Sequence, residues 1–208
     1  MKHKILNQKN KIIIGIDEAG RGPLAGPVIA VAVCIKNLES RIWNFEIKDS
    51  KKLSQKRREE IFETLKNDPR VLWGRGMVSA KVIDKINIWE ATKLAAKRAI
   101  FNLEKKMGKK LPKKKTLLII DGNLKIDSGF CEKPIIKADQ KIPECILASI
   151  FAKVIRDRVM ERYDKIYPYY NFKKHKGYPT KEHKRLIKKY GACKIHRRSF
   201  KGVKEVIE

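Results

Sequence analysis

This chain lacks the acid to balance its base. Its 208 residues carry 23 Asp and Glu against 50 Lys and Arg, a formal net charge of +27. So lopsided a balance disfavours compactness through self-repulsion and is most easily explained by a polyanionic partner, nucleic acid first. Long apolar runs are missing too. The longest uncharged stretch, Gly22 to Ile35, has 14 residues and two prolines, too short to cross a bilayer. The opening residues, Met1 to Asn7, lack the apolar core of a secretory leader. No membrane partner is expected, and a reducing cytoplasm is the expected compartment. Cysteine is sparse: Cys34, Cys131, Cys145 and Cys193 show no Cys-x-x-Cys spacing and read as reduced thiols rather than a zinc centre. His175, His183 and His196 lie in the basic C-terminal third, where phosphate contact or surface exposure is expected of them. Internal repeats are absent, and 42% hydrophobic content suffices for a core. The expectation is one domain over 1–208, of which about 165–208 is a basic, aromatic segment.

What is present starts with an apolar run from Lys11 to Asp17, a strand candidate, followed by Val28 to Ile35 and Val71 to Ser79. Three strands with moderate links suggest a meander. A helix is expected from Asn87, which can cap it with Glu90 three residues on; Trp89, Ala96, Ile100, Leu103 and Met107 follow at helical spacing and Gly108 stops it. Lys105 to Lys115, with seven lysines in eleven residues, reads as a solvated loop. Two further strands are expected, Thr116 to Asp121 and Pro134 to Asp139. Pro143 then opens a long helix with Leu147, Ile150, Phe151 and Val154 on its apolar stripe. Tyr167 to Thr180 mixes rings with cations, and Thr180 to Tyr190 reads as a short amphipathic helix. Strands first, then strands alternating with helices, argue an α/β sheet with helices packed on it.

Three of these strands end in acids: Asp17 with Glu18, Asp121 and Asp139. A β-branched run has no structural use for carboxylates at its end unless they leave the sheet or hold something positive. Mg²⁺ and Mn²⁺ take oxygen ligands, and two such ions can activate a water and stabilise the leaving oxygen of a phosphodiester. One objection is geometric. Adjacent strand residues point to opposite faces, so Asp17 and Glu18 share one metal only if the strand bends, which Gly20 and Gly22 permit.

The runs "GIDEAGRGPLAGPV" (Gly15 to Val28), "DSKKLS" (Asp49 to Ser54), "DGN" (Asp121 to Asn123), "ASIFAKVIRD" (Ala148 to Asp157) and "HKGYPT" (His175 to Thr180), in this order, resemble ribonuclease HII over about Ile12 to Phe200. The resemblance implies a ribonuclease H-like mixed β-sheet flanked by helices. It implies cleavage of the RNA strand of RNA–DNA hybrids, including 5′ of a single ribonucleotide embedded in duplex DNA, with two Mg²⁺ or Mn²⁺ ions in catalysis. Carried over by position, the metal-binding acids fall on Asp17, Glu18, Asp121 and Asp139. Contacts to the ribose hydroxyls fall on Gly20, Arg21 and Gly22, and the junction-sensing ring on Tyr178. The sequence departs from the pattern at Lys137-Ala138, where Lys-Gly is usual, and at Glu144 and Cys145, where small apolar residues are usual.

Lys51 and Lys52, beside the cationic helix start Lys56, Arg57 and Arg58, are read as phosphate contacts. Lys153 and Asp157 share a helix face and suit either substrate contact or an intrahelical pair. A monomer is expected. The competing class, a non-catalytic RNA- or DNA-binding module, keeps the basic surface but gains nothing from carboxylates placed where phosphate must approach.

Overall fold

The computed structural model describes residues 12–36 and 53–207, so Lys51 and Lys52 lie outside the described residues. Strands β1 (Ile12–Ala19), β2 (Val28–Ile35), β3 (Val71–Val78), β4 (Thr116–Asp121) and β5 (Cys131–Ile135) form one sheet in the order β3-β2-β1-β4-β5. β1, β2 and β3 make the antiparallel meander, whereas β4 and β5 run parallel to β1. The principal helices are α1 (Gln55–Leu65), α2 (Ala80–Met107) and α3 (Pro143–Ile166), followed by α4 (Phe172–His175), α5 (Lys181–Tyr190) and α6 (Lys204–Ile207).

β2 is apolar throughout because both of its faces are covered. Val28, Ala30 and Ala32 pack with Ala95, Ala99 and Leu103 of α2, while Ile29, Val31 and Val33 pack with Phe62 of α1 and Leu147 and Phe151 of α3. A mixed sheet sandwiched between α2 and the α1–α3 pair is the α/β architecture expected from the strand and helix order. Ser54 and Thr180 cap α1 and α5 through their side chains, and Pro143 occupies the first turn of α3.

β1 runs on to Ala19, two residues past its expected end, and β3 stops at Val78, one short; two boundaries differ more substantially. The helix expected from Asn87 begins at Ala80, and Asn87 is an internal break at φ 63° and ψ 169°. Its side-chain oxygen accepts from the amides of Trp89 at 2.9 Å and Glu90 at 3.1 Å, so it caps the second of two helical segments. The fifth strand covers Cys131–Ile135 rather than 134–139, with Pro134 tolerated on the sheet edge. Lys137, at φ 59°, turns the chain off the sheet into a single 3₁₀ turn, Ala138–Gln140. Among the described residues, no helix is long and apolar enough to cross a membrane.

Candidate active site

Parallel pairing of β1 with β4 sets the site. The last registered pair is Ile16 with Ile120, so the following residues, Asp17 and Asp121, emerge side by side at the carboxyl end of the sheet. An Asp121 Oδ1 then accepts from the backbone amides of Ala138 at 2.6 Å and Asp139 at 3.3 Å, which draws the 3₁₀ turn inward. Carboxylate oxygens of Asp17, Asp121 and Asp139 come within 4.8 Å of one another. Asp139 therefore joins the group from a turn anchored on Asp121, not from a strand end as the sequence suggested. Alanine serves at 138 because the left-handed residue is Lys137, its neighbour.

Gly15 brings β1 against the first turn of α3, since a β-carbon there would collide with Glu144 and the amide of Cys145. That close approach carries Asp17 to the hydroxyl of Ser149 on α3, which donates to it. Asp17 is only 7% exposed. Burial, then the charges of Glu18 and Asp121, push its carboxyl well above the usual carboxylate range. Three closely set carboxylates are costly unless a cation joins them, and an all-oxygen donor set fits hard divalent ions such as Mg²⁺ and Mn²⁺.

Glu18 is not in that closest group. It follows the parity of Ile14 and Ile16, which pack toward α2, and borders the same cleft from the other face of the sheet. β1 stays paired through Ala19 with Ile29, so no bend separates Asp17 from Glu18; both reach the cleft because it straddles the strand end. Arg21 Nη1 donates to Glu18 Oε1 at 3.2 Å, and the Arg21 guanidinium lies 4.1 Å from the Trp89 ring centroid. Burial raises the Glu18 pKa against the lowering pull of Arg21.

The cleft, about 430 Å³, runs from these acids to the Gly20–Gly22 turn and the Tyr178 ring. A β-carbon at Gly22 would sit 3.9 Å from Tyr178 Cε1, so the turn and the ring form one wall. Lys153 Nζ donates to Asp157 at 2.7 Å and lies 6.0 Å from the Tyr178 ring centroid, combining the intrahelical pair with a place on the cleft. Three lining residues were not singled out as site residues: Ala19, Arg58 and Ser149. Arg58 was legible as part of a cationic helix start, whereas Ser149 carries no local signal, because its role depends on how tightly β1 meets α3.

The histidines correct the sequence expectation outright. His175, His183 and His196 are 7%, 0% and 2% exposed, so they are neither surface groups nor phosphate contacts. His183 Nδ1 lies 2.9 Å from the Tyr178 carbonyl and therefore carries a proton and donates. Its Nε2 then accepts from His196 Nε2 at 3.0 Å, leaving His196 Nδ1 to accept from the Cys193 amide at 2.9 Å. Both rings are neutral in this arrangement. Burial pushes their pKa values down, to about 4 for His183 and about 3 for His196.

Acids converging at the carboxyl ends of two parallel central strands, on a mixed helix-flanked sheet with a strongly basic chain around it, define a nuclease of the ribonuclease H class. The sequence pattern of the family Ribonuclease HII matches residues 14–203. A Ribonuclease HII of Caldicellulosiruptor bescii is 45% identical over 200 residues, covering 96% of this chain and 91% of its own. Among solved structures, the ribonuclease H2 of Pyrococcus horikoshii OT3 superposes with a TM-score of 0.73 at 28% identity, over 93% of this chain and 96% of its own. The RNase HII in a PCNA:RNase HII complex from Archaeoglobus fulgidus gives 0.73 at 26% identity, over 91% and 95%. This chain belongs to the ribonuclease HII family, and with it to the nucleases that hydrolyse the RNA strand of RNA–DNA hybrids.

Proposed function

We propose that this protein is a divalent-metal-dependent endoribonuclease that also cuts 5′ of single ribonucleotides embedded in duplex DNA, leaving 3′-hydroxyl and 5′-phosphate ends, and that it works as a cytoplasmic monomer. The observation that carries the reading is the convergence of Asp17, Asp121 and Asp139 oxygens within 4.8 Å, where Asp17 and Asp121 line a cleft walled by the Gly20–Gly22 turn and Tyr178 and Asp139 lies buried behind them. Asp17, Asp121 and Asp139 would hold Mg²⁺ or Mn²⁺, with Glu18 at the margin. Two such ions, when bound, supply Lewis-acid activation of the attacking water and charge stabilisation at the leaving 3′-oxygen.

The chain's own residues do the rest. Asp121 holds the Asp139 turn through its amides, and Ser149 orients Asp17, so the donor set is fixed before substrate arrives. Lys153 and Arg58 on the cleft, and Lys51 and Lys52 from the sequence, attract the phosphate backbone without reading its sequence. Discrimination falls to the other wall. Backbone groups of Gly20, Arg21 and Gly22 approach the ribose 2′-hydroxyl, while the Tyr178 ring packs on the following deoxyribose, where an added hydroxyl would be crowded.

The test is direct: incubate the purified protein with a duplex carrying one ribonucleotide, with and without Mg²⁺, and size the products. A metal-dependent cut on the 5′ side of the ribonucleotide is expected. Retention of the duplex uncut, with metal present, would remove the single-ribonucleotide reading, and a continuous hybrid left uncut as well would return the protein to the class of non-catalytic nucleic-acid-binding modules.

A further inference from the structure

Among the described residues, Arg156 and Arg197 are the two largest side chains withdrawn from solvent, at 1% and 0% exposure. Buried guanidinium groups ordinarily meet carboxylates. Here every hydrogen bond recorded for either one goes to a backbone carbonyl. Arg197 Nη2 donates to Gly20 O at 2.5 Å, its Nη1 to Arg21 O at 2.8 Å, and its Nε and Nη2 to Gly26 O at 3.0 and 2.9 Å. The two arms of the Gly20–Gly26 turn are thereby held on one fork. Arg156 acts on the far arm: its Nη2 donates to Ala25 O at 3.1 Å and its Nε to Pro27 O at 3.1 Å. Its Nη1 reaches across to Lys176 O at 3.0 Å, two residues before Tyr178.

The turn also rests on the arginine physically. Gly20, at φ 100°, faces the Nε and Cδ of Arg156 so closely that a β-carbon has no room. The Arg156 guanidinium carbon lies 5.8 Å from the Tyr178 ring centroid. Arg197 thus fixes the turn, Arg156 ties the turn to the Tyr178 loop, and neither cation is among the residues that line the cleft.

We propose that Arg156 and Arg197 are positioning residues that set the gap between the Gly20–Gly22 turn and the Tyr178 ring, and so determine specificity for a ribonucleotide followed by a deoxyribonucleotide without touching substrate. The inference rests on the reading of the turn and the ring given above. Arginine is required because one planar fork serves three carbonyls in fixed directions, which a single lysine ammonium cannot do, although lysine keeps the charge and most of the volume.

Arg156→Lys and Arg197→Lys are assayed beside Tyr178→Ala on two substrates, a single-ribonucleotide duplex and a continuous RNA–DNA hybrid. kcat and KM, Mg²⁺ dependence and melting temperature are recorded for each. A misplaced wall lowers kcat on the single-ribonucleotide duplex by about ten- to a hundredfold, with KM and Mg²⁺ dependence near wild type and the hybrid much less affected. A parallel fall on both substrates, tracking the folded fraction, overturns the proposal and leaves the arginines as fold supports. If Tyr178→Ala shifts the substrate ratio and the arginine variants do not, the proposal fails while the reading of the ring stands. An unchanged ratio in Tyr178→Ala removes that reading, and the proposal with it. Should Arg156→Lys not fold, the ratio is read on Arg197→Lys, which acts on the opposite side of the turn.

Discussion

The two walls of the cleft are built by different physics. On the acid wall, regular secondary structure does the positioning: two parallel strands in fixed register deliver Asp17 and Asp121 to the same height, and one carboxylate captures the amides of the turn bearing Asp139. On the sugar-reading wall there is almost no regular structure. The Gly20–Pro27 turn and the Lys176–Tyr178 loop are held by buried side-chain donors, by the Leu24 amide on Gly177 O at 2.8 Å, and by the Ala25–His196 bridge. In the proposed reading, chemistry common to RNA and DNA stands on the rigid sheet, and discrimination on a network that spans the sequence.

Breaking the acid wall carries the largest expected effect. Asp17→Asn or Asp121→Asn should lower kcat by at least about a hundredfold, the scale of losing one preorganised electrostatic stabiliser. Hybrid binding should be retained or tighten, since negative charge near phosphate has been removed. Single-turnover cleavage and a binding titration separate the two, and near-wild-type turnover in either variant at saturating Mg²⁺ removes these acids from the reaction. Breaking the other wall should be milder and selective. Tyr178→Ala should lose about ten- to a hundredfold on isolated ribonucleotides while duplex affinity and Mg²⁺ dependence stay put; an unchanged rate would make the ring a packing element only.

The same contrast explains what could be read in advance. β2 and β4 fall on the expected residues, Val28 to Ile35 and Thr116 to Asp121, because each is an apolar run bounded by turn residues. Asp121 was legible for that reason; Asp17 was legible as the acid after an apolar run, although β1 continues to Ala19. Asp139 was legible as an acid but not in its setting, because its turn depends on a lysine at positive φ, which leaves no mark in sequence. Glu18 was grouped with the other acids and lines the cleft beside them, its side chain on the opposite face of β1 and paired with Arg21. The second wall was hidden more deeply. Arg197 donates to Gly20 from 177 positions away, and basic residues in a chain of net charge +27 read as solvated by default. The histidines were misjudged on the same ground, although buried rings can be satisfied by one another, as His183 and His196 are, or by backbone, as His175 is.

Stability should respond to pH with opposite signs on the two sides. On the sugar-reading side, His183 and His196 have folded pKa values of about 4 and about 3, depressed by burial from an ordinary value of 6.5. The unfolded chain then binds more protons than the native one as pH falls below 6.5. Their contribution is complete above that point and is lost by about 1.4 kcal/mol per histidine for each pH unit down toward 4. Denaturant unfolding of His196→Gln should show a shallower decline between pH 6.5 and 4.5 than wild type, whatever its offset at pH 7. An identical slope would mean that His196 titrates freely in the native state.

Glu144 gives the opposite sign and the smallest expected effect on cleavage. It lies in the first turn of α3 beneath the acid wall, 4% exposed, and burial lifts its carboxyl to about 7 from an ordinary 4.5. A raised carboxylate pKa means that the native chain binds the extra proton, so wild-type stability falls as pH rises from 4.5 to 7. Its oxygens are not among those gathered at Asp17, Asp121 and Asp139, and it does not line the cleft. Glu144→Gln should therefore leave cleavage of both substrates within about twofold, a barrier change under 1 kcal/mol. Its stability relative to wild type should rise across pH 4.5 to 7 by up to about 3 kcal/mol, the linkage value of the shift. Chemical denaturation at pH 4.5 and pH 8 measures this difference, and a gap that is the same at both ends would show Glu144 ionised at no cost. A large loss of cleavage instead would place a further carboxylate in the acid wall's work and erase the distinction between an acid buried by packing and an acid buried for a cation.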